Sequence, residues 1–444
     1  MAEVDDDRIS ALPEEIKVSI LSLLSITDAV RTSVLSSSWR HLWTLLPGLH
    51  AGHKLVHDLN LFPEGLLRGL DSEVAKSRWR RTVQRLLSSL PGPIHYITLA
   101  SPFRDDPALP TFLDLIYQKG AALEKLNLES MIARTWLQLP YFRSLKQLRL
   151  YCVRLCLPAD FQGFHQLTDL KLHTVHISRR DIMLLVNQSK KLTFFESYYA
   201  LHPDPDDDNS LPVTFNCPLL KTVEFLFCEF CKEGMISSAP CLERASFFAS
   251  LDGLGSLAEE LASLAAPTMK FLAHVAHVSH LSFCFRVLKC LSLVDVPHAL
   301  HFHQLRCLEL DEELCHFDIR MYGMFCCLLK RMPCLELLKI KCDLPEEYDE
   351  LVYPIPVNEY MKKQDGFRCL DRTLKTVAVY TFDLTYINTI MWMVHFILLN
   401  ANVLECFEIT FEESDPQVIS SIFEELCEAE KASLDAKVVL QLQE

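Results

Sequence analysis

Four short patterns carry residue types that could do chemistry. Cys228-Glu-Phe-Cys231 has the spacing of half a zinc site or of a redox thiol pair. His274, His277 and His280 recur every three residues, which on a helix would turn three imidazoles toward one side. Gly253-Leu-Gly255-Ser-Leu-Ala258 fits G-x-G-x-x-A, the turn on which a dinucleotide fold seats a pyrophosphate. Asp204-Pro-Asp-Asp-Asp-Asn209 bunches carboxylates as a calcium loop does.

Each pattern lacks its other half. No second cysteine pair stands at zinc spacing from the first. No carboxylate or thiol near the three histidines completes a ligand set, so they read as local solvated or core residues. The acidic residue expected about 20 positions after the glycines is missing where Phe271-Leu-Ala-His-Val-Ala stands. The acidic run has no central glycine, and Phe215 fills the place of the closing glutamate, so it reads as a solvated loop. There is no G-x-x-x-x-G-K-[ST], H-E-x-x-H or G-x-S-x-G. No catalytic residue, metal ligand or cofactor is assigned, and the chain is expected not to be an enzyme.

Bulk properties narrow the partners. The 444 residues carry a net charge of −15, and the densest basic cluster is the short Arg78-Trp79-Arg80-Arg81 beside Lys76. A surface that neutralises a run of phosphates needs a basic face, so nucleic acid is not expected. Met-Ala-Glu-Val-Asp-Asp-Asp at the start is too acidic for a signal or transit peptide, and the 17 cysteines then read as reduced thiols used as small core residues. The most apolar run near the C-terminus, Ile387 to Leu399, includes Asn388 and His395. It falls short of the roughly 20 residues a membrane span needs and reads as a buried helix. The expected compartment is the nucleus or the cytoplasm, with no membrane partner.

The elements that would position a function begin with a helical block. Pro13-Glu14-Glu15 starts a helix well, because proline suits the first turn and carboxylates face the positive end of the dipole. Leu12, Ile16, Ile20, Leu23 and Leu24 then follow a helical stripe. Ser25-Ile26-Thr27-Asp28 fits a capping box that opens a second helix carrying Val30, Val34 and Leu35. Trp39, Leu42, Trp43 and Leu46 mark a third, which Pro47-Gly48 stops. Three such short helices are marginal alone. Their apolar surplus predicts either a cap packed on the next domain or a surface that meets a partner.

The residues themselves go further. Asp-Arg-Ile-Ser-Ala-Leu-Pro-Glu-Glu-Ile (7 to 16), Ile-Leu-Ser-Leu-Leu (20 to 24), Asp-Ala-Val-Arg-Thr-Ser-Val-Leu-Ser (28 to 36) and Trp-Arg-His-Leu-Trp (39 to 43) closely resemble the plant F-box. The resemblance departs at Ser37-Ser38, where that family usually has a basic residue before its Trp-Arg. It implies docking onto the Skp-type adaptor of a cullin-RING ubiquitin ligase through Leu12, Pro13, Ile16, Ile20, Leu21, Val34, Leu35, Trp39, Leu42 and Trp43.

Beyond the block the frame L-x-x-L-x-L returns along most of the chain, as in leucine-rich repeats. Strong copies are Leu123-Leu126-Leu128, Leu145-Leu148-Leu150, Leu167-Leu170-Leu172, Leu288-Leu291-Leu293, Leu305-Leu308-Leu310 and Leu335-Leu338-Ile340. Looser copies begin at Ile94, Leu192, Leu220, Leu242, Leu374 and Leu404. The first three strong copies start 22 residues apart and later spacings are uneven, which predicts an irregular solenoid. Strand alternation sends every second residue inward and the ones between outward, onto the sheet lining the concave side. The outward set includes Lys125, Asn127 and Glu129; Gln147, Arg149 and Tyr151; Asp169, Lys171 and His173; and Glu309 and Asp311. Being polar and mixed in charge, it suits a protein target.

Near the C-terminus, Cys369-Leu370, Leu374-Lys375-Thr376-Val377, Phe382, Phe396-Ile397-Leu398-Leu399-Asn400-Ala401 and Val403-Leu404-Glu405 resemble the FBD segment that closes many plant F-box proteins with such repeats. Here Asp383-Leu384 stands where the family often has glycine. The expected layout is an α/β chain: a three-helix F-box at 5–48, a leucine-rich-repeat horseshoe at 90–364, an FBD-type cap at 365–412 and a C-terminal tail or helix at 413–444. The resemblances imply a non-catalytic substrate-recognition subunit of a Skp-cullin-F-box ligase. A repeat scaffold without ligase partners, or a receptor for a small signalling molecule, are the alternatives.

Overall fold

A computed structural model describes residues 9, 11–51, 73–90, 93–104, 108–132, 136–198, 213–226, 236–248, 257–292, 299–312, 319–342, 366–384, 390–413 and 415–443. The Cys228–Cys231 pair, Gly253, Gly255 and the acidic run at 204–209 lie outside the described residues. The chain divides into two compact units, Met1–Leu220 and Lys221–Glu444. Both are α/β, and each is built on parallel strands.

The first unit opens with helices Glu14–Ser22 (α1) and Ile26–Arg31 (α2). The Ser25 side chain accepts a hydrogen bond from the Asp28 backbone amide at 3.2 Å, so the predicted cap forms. A third helix does not. Trp39 and its neighbours lie in turns, followed by the short 3-10 segment Leu42–Leu45. Pro47 lacks the amide to continue a helix, and the chain passes into strand Gly48–Ala51 (β1). Helix Glu73–Ser89 follows the strand. Its Ala75, Trp79, Val83 and Leu87 are buried at helical spacing, so the basic cluster seen in the sequence flanks a tryptophan anchor.

The strands of this unit are Tyr96–Arg104 (β2), Lys125–Ile132 (β3), Trp136–Gln138 (β4), Gln147–Tyr151 (β5), Arg154–Cys156 (β6), Asp169–His173 (β7), His176–Ile177 (β8), Phe194–Tyr198 (β9) and Phe215–Asn216 (β10). The main sheet runs β1-β2-β3-β5-β7-β9, and a small second sheet runs β4-β6-β8. The leucine frame explains both position and register. Leu126, Leu148 and Leu170 pair side by side, as do Leu128, Leu150 and Leu172, and all six are buried. Each fully buried leucine contributes about 1.5–3 kcal/mol of transfer free energy, so a one-residue slip that exposed such a row is disfavoured by several of these at once.

Between the two sheets the chain turns at Cys152 and Thr174, which adopt φ of 50° and 52°. Left-handed backbone costs such residues on the order of 1 kcal/mol. In return the Cys152 amide still donates to His173 O at 2.8 Å and the Thr174 amide to Tyr198 O at 2.7 Å. The next residues, Val153 and Val175, drop into the core at the place where regular repeats often carry asparagine. Gly163 has φ of 91°, and a Cβ there would lie 2.4 Å from Gln188 O. Only glycine lets that loop pass the end of helix Arg179–Gln188.

The second unit holds Thr222–Leu226 (β11), Ile236–Ser238 (β12), Arg244–Phe248 (β13), His280–Cys284 (β14), Cys307–Glu312 (β15), Leu337–Cys342 (β16), Thr376–Asp383 (β17), Cys406–Glu413 (β18) and Lys437–Leu442 (β19). Its sheet runs β11-β13-β14-β15-β16-β17-β18-β19. One strong sequence copy fails. Leu288 and Leu291 lie on helix Phe285–Leu291, while the strand is formed upstream with Val278, Leu281 and Phe283 buried in the frame. Valine and phenylalanine meet the same demand for apolar bulk at the inward positions, and β-branched and aromatic residues suit a strand better than leucine. His274, His277 and His280 share no helix: His274 ends helix Leu257–His274, His277 sits in a turn and His280 begins β14.

The segment expected as a cap at 365–412 holds β17, helix Met391–Asn400 and β18. The helix is largely apolar and buried on nearly every side, with His395 meeting Glu425 at 3.0 Å. Trp392 packs edge-on against Tyr322 at 5.2 Å and Phe325 at 5.9 Å, and Phe396 against Phe367 at 5.3 Å. This segment does not end the sheet, as the cap expectation required. Helix Pro416–Glu428 and β19 add one more strand, paired parallel to β18.

Candidate functional site

The opening block buries a small core of its own. Leu21, Ile26, Ala29, Trp39 and Leu42 are all covered, and Lys17, also buried, stands 5.8 Å from the centre of the Trp39 ring. The ten residues singled out from the sequence therefore separate by place. Leu21, Trp39 and Leu42 face inward, and Leu12 and Trp43 are half-buried. Pro13, Ile16, Ile20, Val34 and Leu35 are exposed. Val34 is 85% exposed and Leu35 67%. Leu23 and Leu24 join them from the end of α1. An isolated exposed leucine needs no explanation, but several on two adjoining short elements form the kind of apolar surface that marks a docking site.

The strands of the first unit bring nine outward residues into a grid. Lys125, Gln147 and Asp169 are register partners along one row. Asn127, Arg149 and Lys171 form the next row, and Glu129, Tyr151 and His173 the third. Phe194, Glu196 and Tyr198 of β9 extend the three rows. Those three were not among the residues singled out from the sequence, because the copy at Leu192-Phe195 is loose.

Glu196 organises the grid. It accepts hydrogen bonds from Lys171 Nζ and pairs with His173 Nε2. The His173 bond, and then Lys171, hold its carboxyl far below the ordinary range, at about 2, against burial, which acts the other way. The His173 ring stacks obliquely between Tyr151 at 4.6 Å and Tyr198 at 5.5 Å. Lys171 also stands 4.8 Å from the Phe194 ring centre. Arg149 Nε faces Asp169 Oδ1 at 3.8 Å, beyond hydrogen-bond range. Burial raises the Asp169 carboxyl despite Arg149. The result is a rigid aromatic and charged shelf whose charges balance internally.

In the second unit, Glu309 and Asp311 do point outward from β15, and both share Lys341 of β16 at 3.5 Å. Two outward cations near them, Arg244 and Lys339, were not singled out from the sequence, and His280 between was considered there only as one of three spaced histidines. Among the described residues no group of three or more His, Cys, Asp or Glu side chains is placed to hold a metal ion. His277 Nε2 instead meets Ala239 O at 3.1 Å, and His274 Nδ1 meets Lys270 O at 2.7 Å. No described helix is long and apolar enough to cross a membrane.

Comparison with known proteins gives two regions of the chain a family likeness. An F-box domain model matches residues 9–50, and a model described as the LRR repeats of the FBD-associated F-box protein At5g56370 matches residues 121–340. The F-box/FBD/LRR-repeat protein At1g13570 of Arabidopsis thaliana is 26% identical over 449 aligned residues, which cover 98% of each chain. The Arabidopsis F-box/LRR-repeat protein At3g26922 is 56% identical over 46 residues, 10% of this chain and 15% of its own. The putative F-box protein At1g67390 of the same plant is 43% identical over 74 residues, 16% and 14% of the two chains. With an F-box on its helical block, leucine-rich repeats on its strands and a full-length relative of the same composition, this chain belongs to the F-box/FBD/LRR-repeat family.

Proposed function

We propose that this chain is a non-catalytic substrate-recognition subunit of a Skp-cullin-F-box ubiquitin ligase. The observation that carries the reading is the group of exposed apolar residues Pro13, Ile16, Ile20, Val34 and Leu35 on an otherwise self-contained block. That surface receives the Skp-type adaptor and through it the cullin-RING enzyme. Leu12 and Trp43 form its half-buried edge, and Leu21, Trp39 and Leu42 fix its shape from beneath. The outward strand residues, from Lys125, Asn127 and Glu129 through His173 in the first unit and Glu309 and Asp311 in the second, hold the target. The segment 365–412 is the FBD, and the protein works in the nucleus or the cytoplasm. The gain is proximity: tethering raises the effective concentration of target lysines at the transfer site.

The test is co-purification of the full-length protein with a Skp-type adaptor and cullin, beside Leu12→Ala/Pro13→Ala and Val34→Asp/Leu35→Asp variants. Co-recovery with the intact chain and its loss in both variants is the expected result. An intact chain that recovers neither partner would sink the ligase reading and leave a repeat scaffold.

A further inference from the structure

The outward face of the second unit carries cations that no described residue neutralises by an ion pair. Arg244 of β13 and His280 of β14 are register partners, and Cys307 of β15 follows in the same row. The next row runs Ser246, Ser282, Glu309 and Lys339. Three other cations at the strand entrances have an acid: Lys221 with Glu243 at 3.2 Å, Arg306 with Glu336 at 3.5 Å and Lys375 with Glu405 at 2.8 Å. Glu309 is matched to Lys341 at 3.5 Å. Arg244 and Lys339 form no ion pair among the described residues. In a chain of net charge −15, two cations without an ion pair among the described residues thus stand on one face, and the acid beside Lys339, Glu309, is engaged by Lys341.

The histidine between them is prepared for an anion. Ser279 Oγ donates to Glu243 O at 3.0 Å and lies 2.8 Å from His280 Nδ1. A hydroxyl has one hydrogen, and here it is given to the carbonyl, so Nδ1 carries the imidazole proton and donates to Oγ. Nε2 is then the nitrogen left for an incoming group. Burial, then Arg244 and Lys339, lower the affinity of His280 for a second proton, with Glu243 opposing. An arriving negative charge removes that penalty. The hydroxyls of Ser246 and Ser282, half-buried in the row between, add two neutral donors.

We propose that the Arg244–His280–Lys339 patch binds an acidic stretch of the target polypeptide, with carboxylates seated at Arg244 and at Lys339. Strand geometry selects this occupant. Arg244 and Lys339 sit three strands and two residues apart, so at about 4.8 Å per strand and 3.3 Å per residue their backbones are separated by roughly 16 Å. A single phosphoryl group cannot span that distance, whereas an extended peptide advances about 3.3 Å per residue and places two acidic side chains at such a spacing. The proposal rests on the reading of the strand faces as the target-binding part, and it deepens that reading by naming the chemistry of the target.

The test is a fluorescence-anisotropy titration of the full-length protein with a fluorescein-labelled dodecapeptide of alternating glutamate, serine and glycine. Its glutamine counterpart and a version with one phosphoserine in place of all glutamates are the comparison probes. The glutamate peptide is expected to bind, and to weaken as NaCl rises from 50 to 200 mM through screening. Arg244→Glu/Lys339→Glu is expected to weaken it at least tenfold with an unchanged circular dichroism spectrum. Arg143→Glu/Lys270→Glu, at exposed positions elsewhere, is expected to leave it unchanged. Equal binding of the glutamine peptide, indifference to the Arg244/Lys339 reversal, or binding of the phosphoserine peptide alone would overturn the proposal. Adaptor recovery by the same variants reads the F-box function separately, so the two failures are distinguishable.

Discussion

The helical block and the strand grid of the first unit use their apolar residues in opposite ways. On the grid, leucines at every second position are buried and the residues between are mostly polar and half-exposed. On the block, Val34, Leu35 and Leu23 lie open while a lysine is buried under a tryptophan. Burial of apolar surface is the main driving force of folding, so a segment that leaves that much of it in water is shaped for a partner rather than for its own stability. The grid shows the reverse economy: its affinity for anything must come from specific polar and aromatic groups, which set selectivity more than strength.

That contrast can be broken most severely from the grid side. Leu170→Ala removes a fully buried leucine from the middle of a packed row. It is expected to lower stability by about 3–5 kcal/mol in chemical denaturation, a loss typical of leucine cavities. Placing charges on the block's exposed apolar residues should divide the two roles. Val34→Asp/Leu35→Asp is expected to weaken adaptor binding by about 2–4 kcal/mol in calorimetry. The same change should leave the denaturation midpoint nearly unmoved, because surface substitutions shift stability by only about 0.5 kcal/mol. A fall in stability comparable with that of Leu170→Ala would mean the block's exposed residues support the fold after all.

Two smaller effects sharpen the picture within the first unit. Lys119 Nζ donates to Leu87 O at 2.7 Å, Ser88 O at 3.0 Å and Leu90 O at 2.9 Å, closing the C-terminal end of helix Glu73–Ser89 with a charge of the favourable sign. Lys119→Met is expected to cost about 1–2 kcal/mol and to speed hydrogen exchange in the last turn of that helix. Glu196→Gln tests the shelf. The folded-state carboxyl titrates at about 2 against 4.5 unfolded, so its stabilising contribution is complete above pH 4.5 and is lost as pH falls through 2. The glutamine variant should be less stable by about 1 kcal/mol at pH 7, allowing for solvent screening, and the difference should vanish on acidification. A gap that persisted at low pH would assign the shelf's stability to packing of Tyr151, His173 and Tyr198 instead.

Much of the repeat architecture was legible because a strand's demand is local and periodic. A frame such as Leu145-Leu148-Leu150 states both the element and its inward face, and the even spacing of three copies states the register. Where other residues met the same demand, the reading slipped. Val278, Leu281 and Phe283 do the work of leucines, and the more regular Leu288 and Leu291 proved to be helical. The strand Gly48–Ala51 and the final strand Lys437–Leu442 went unread for the same reason, since neither carries a full leucine frame. The F-box motif was legible as a set of residues but not as a set of roles. Which of the ten face out depends on how α1, α2 and the 3-10 turn pack, and spacing alone does not fix that for such short elements.

The sequence by itself determined that this is a repeat chain with an F-box at one end, because composition, periodicity and motif are one-dimensional properties. It also determined which residues point outward on the strands with a full leucine frame, such as Gln147–Tyr151 and Asp169–His173. Only the tertiary structure decided what those outward residues do. Glu196 lies 25 residues from Lys171 and 23 from His173, and the three become one hydrogen-bonded cluster. Arg244 and His280 become register partners across 36 residues that include a whole helix. Charges at that separation have no fixed relation until parallel strands are brought into register about 4.8 Å apart, and Coulomb interactions, which depend on distance in space, take their meaning only then.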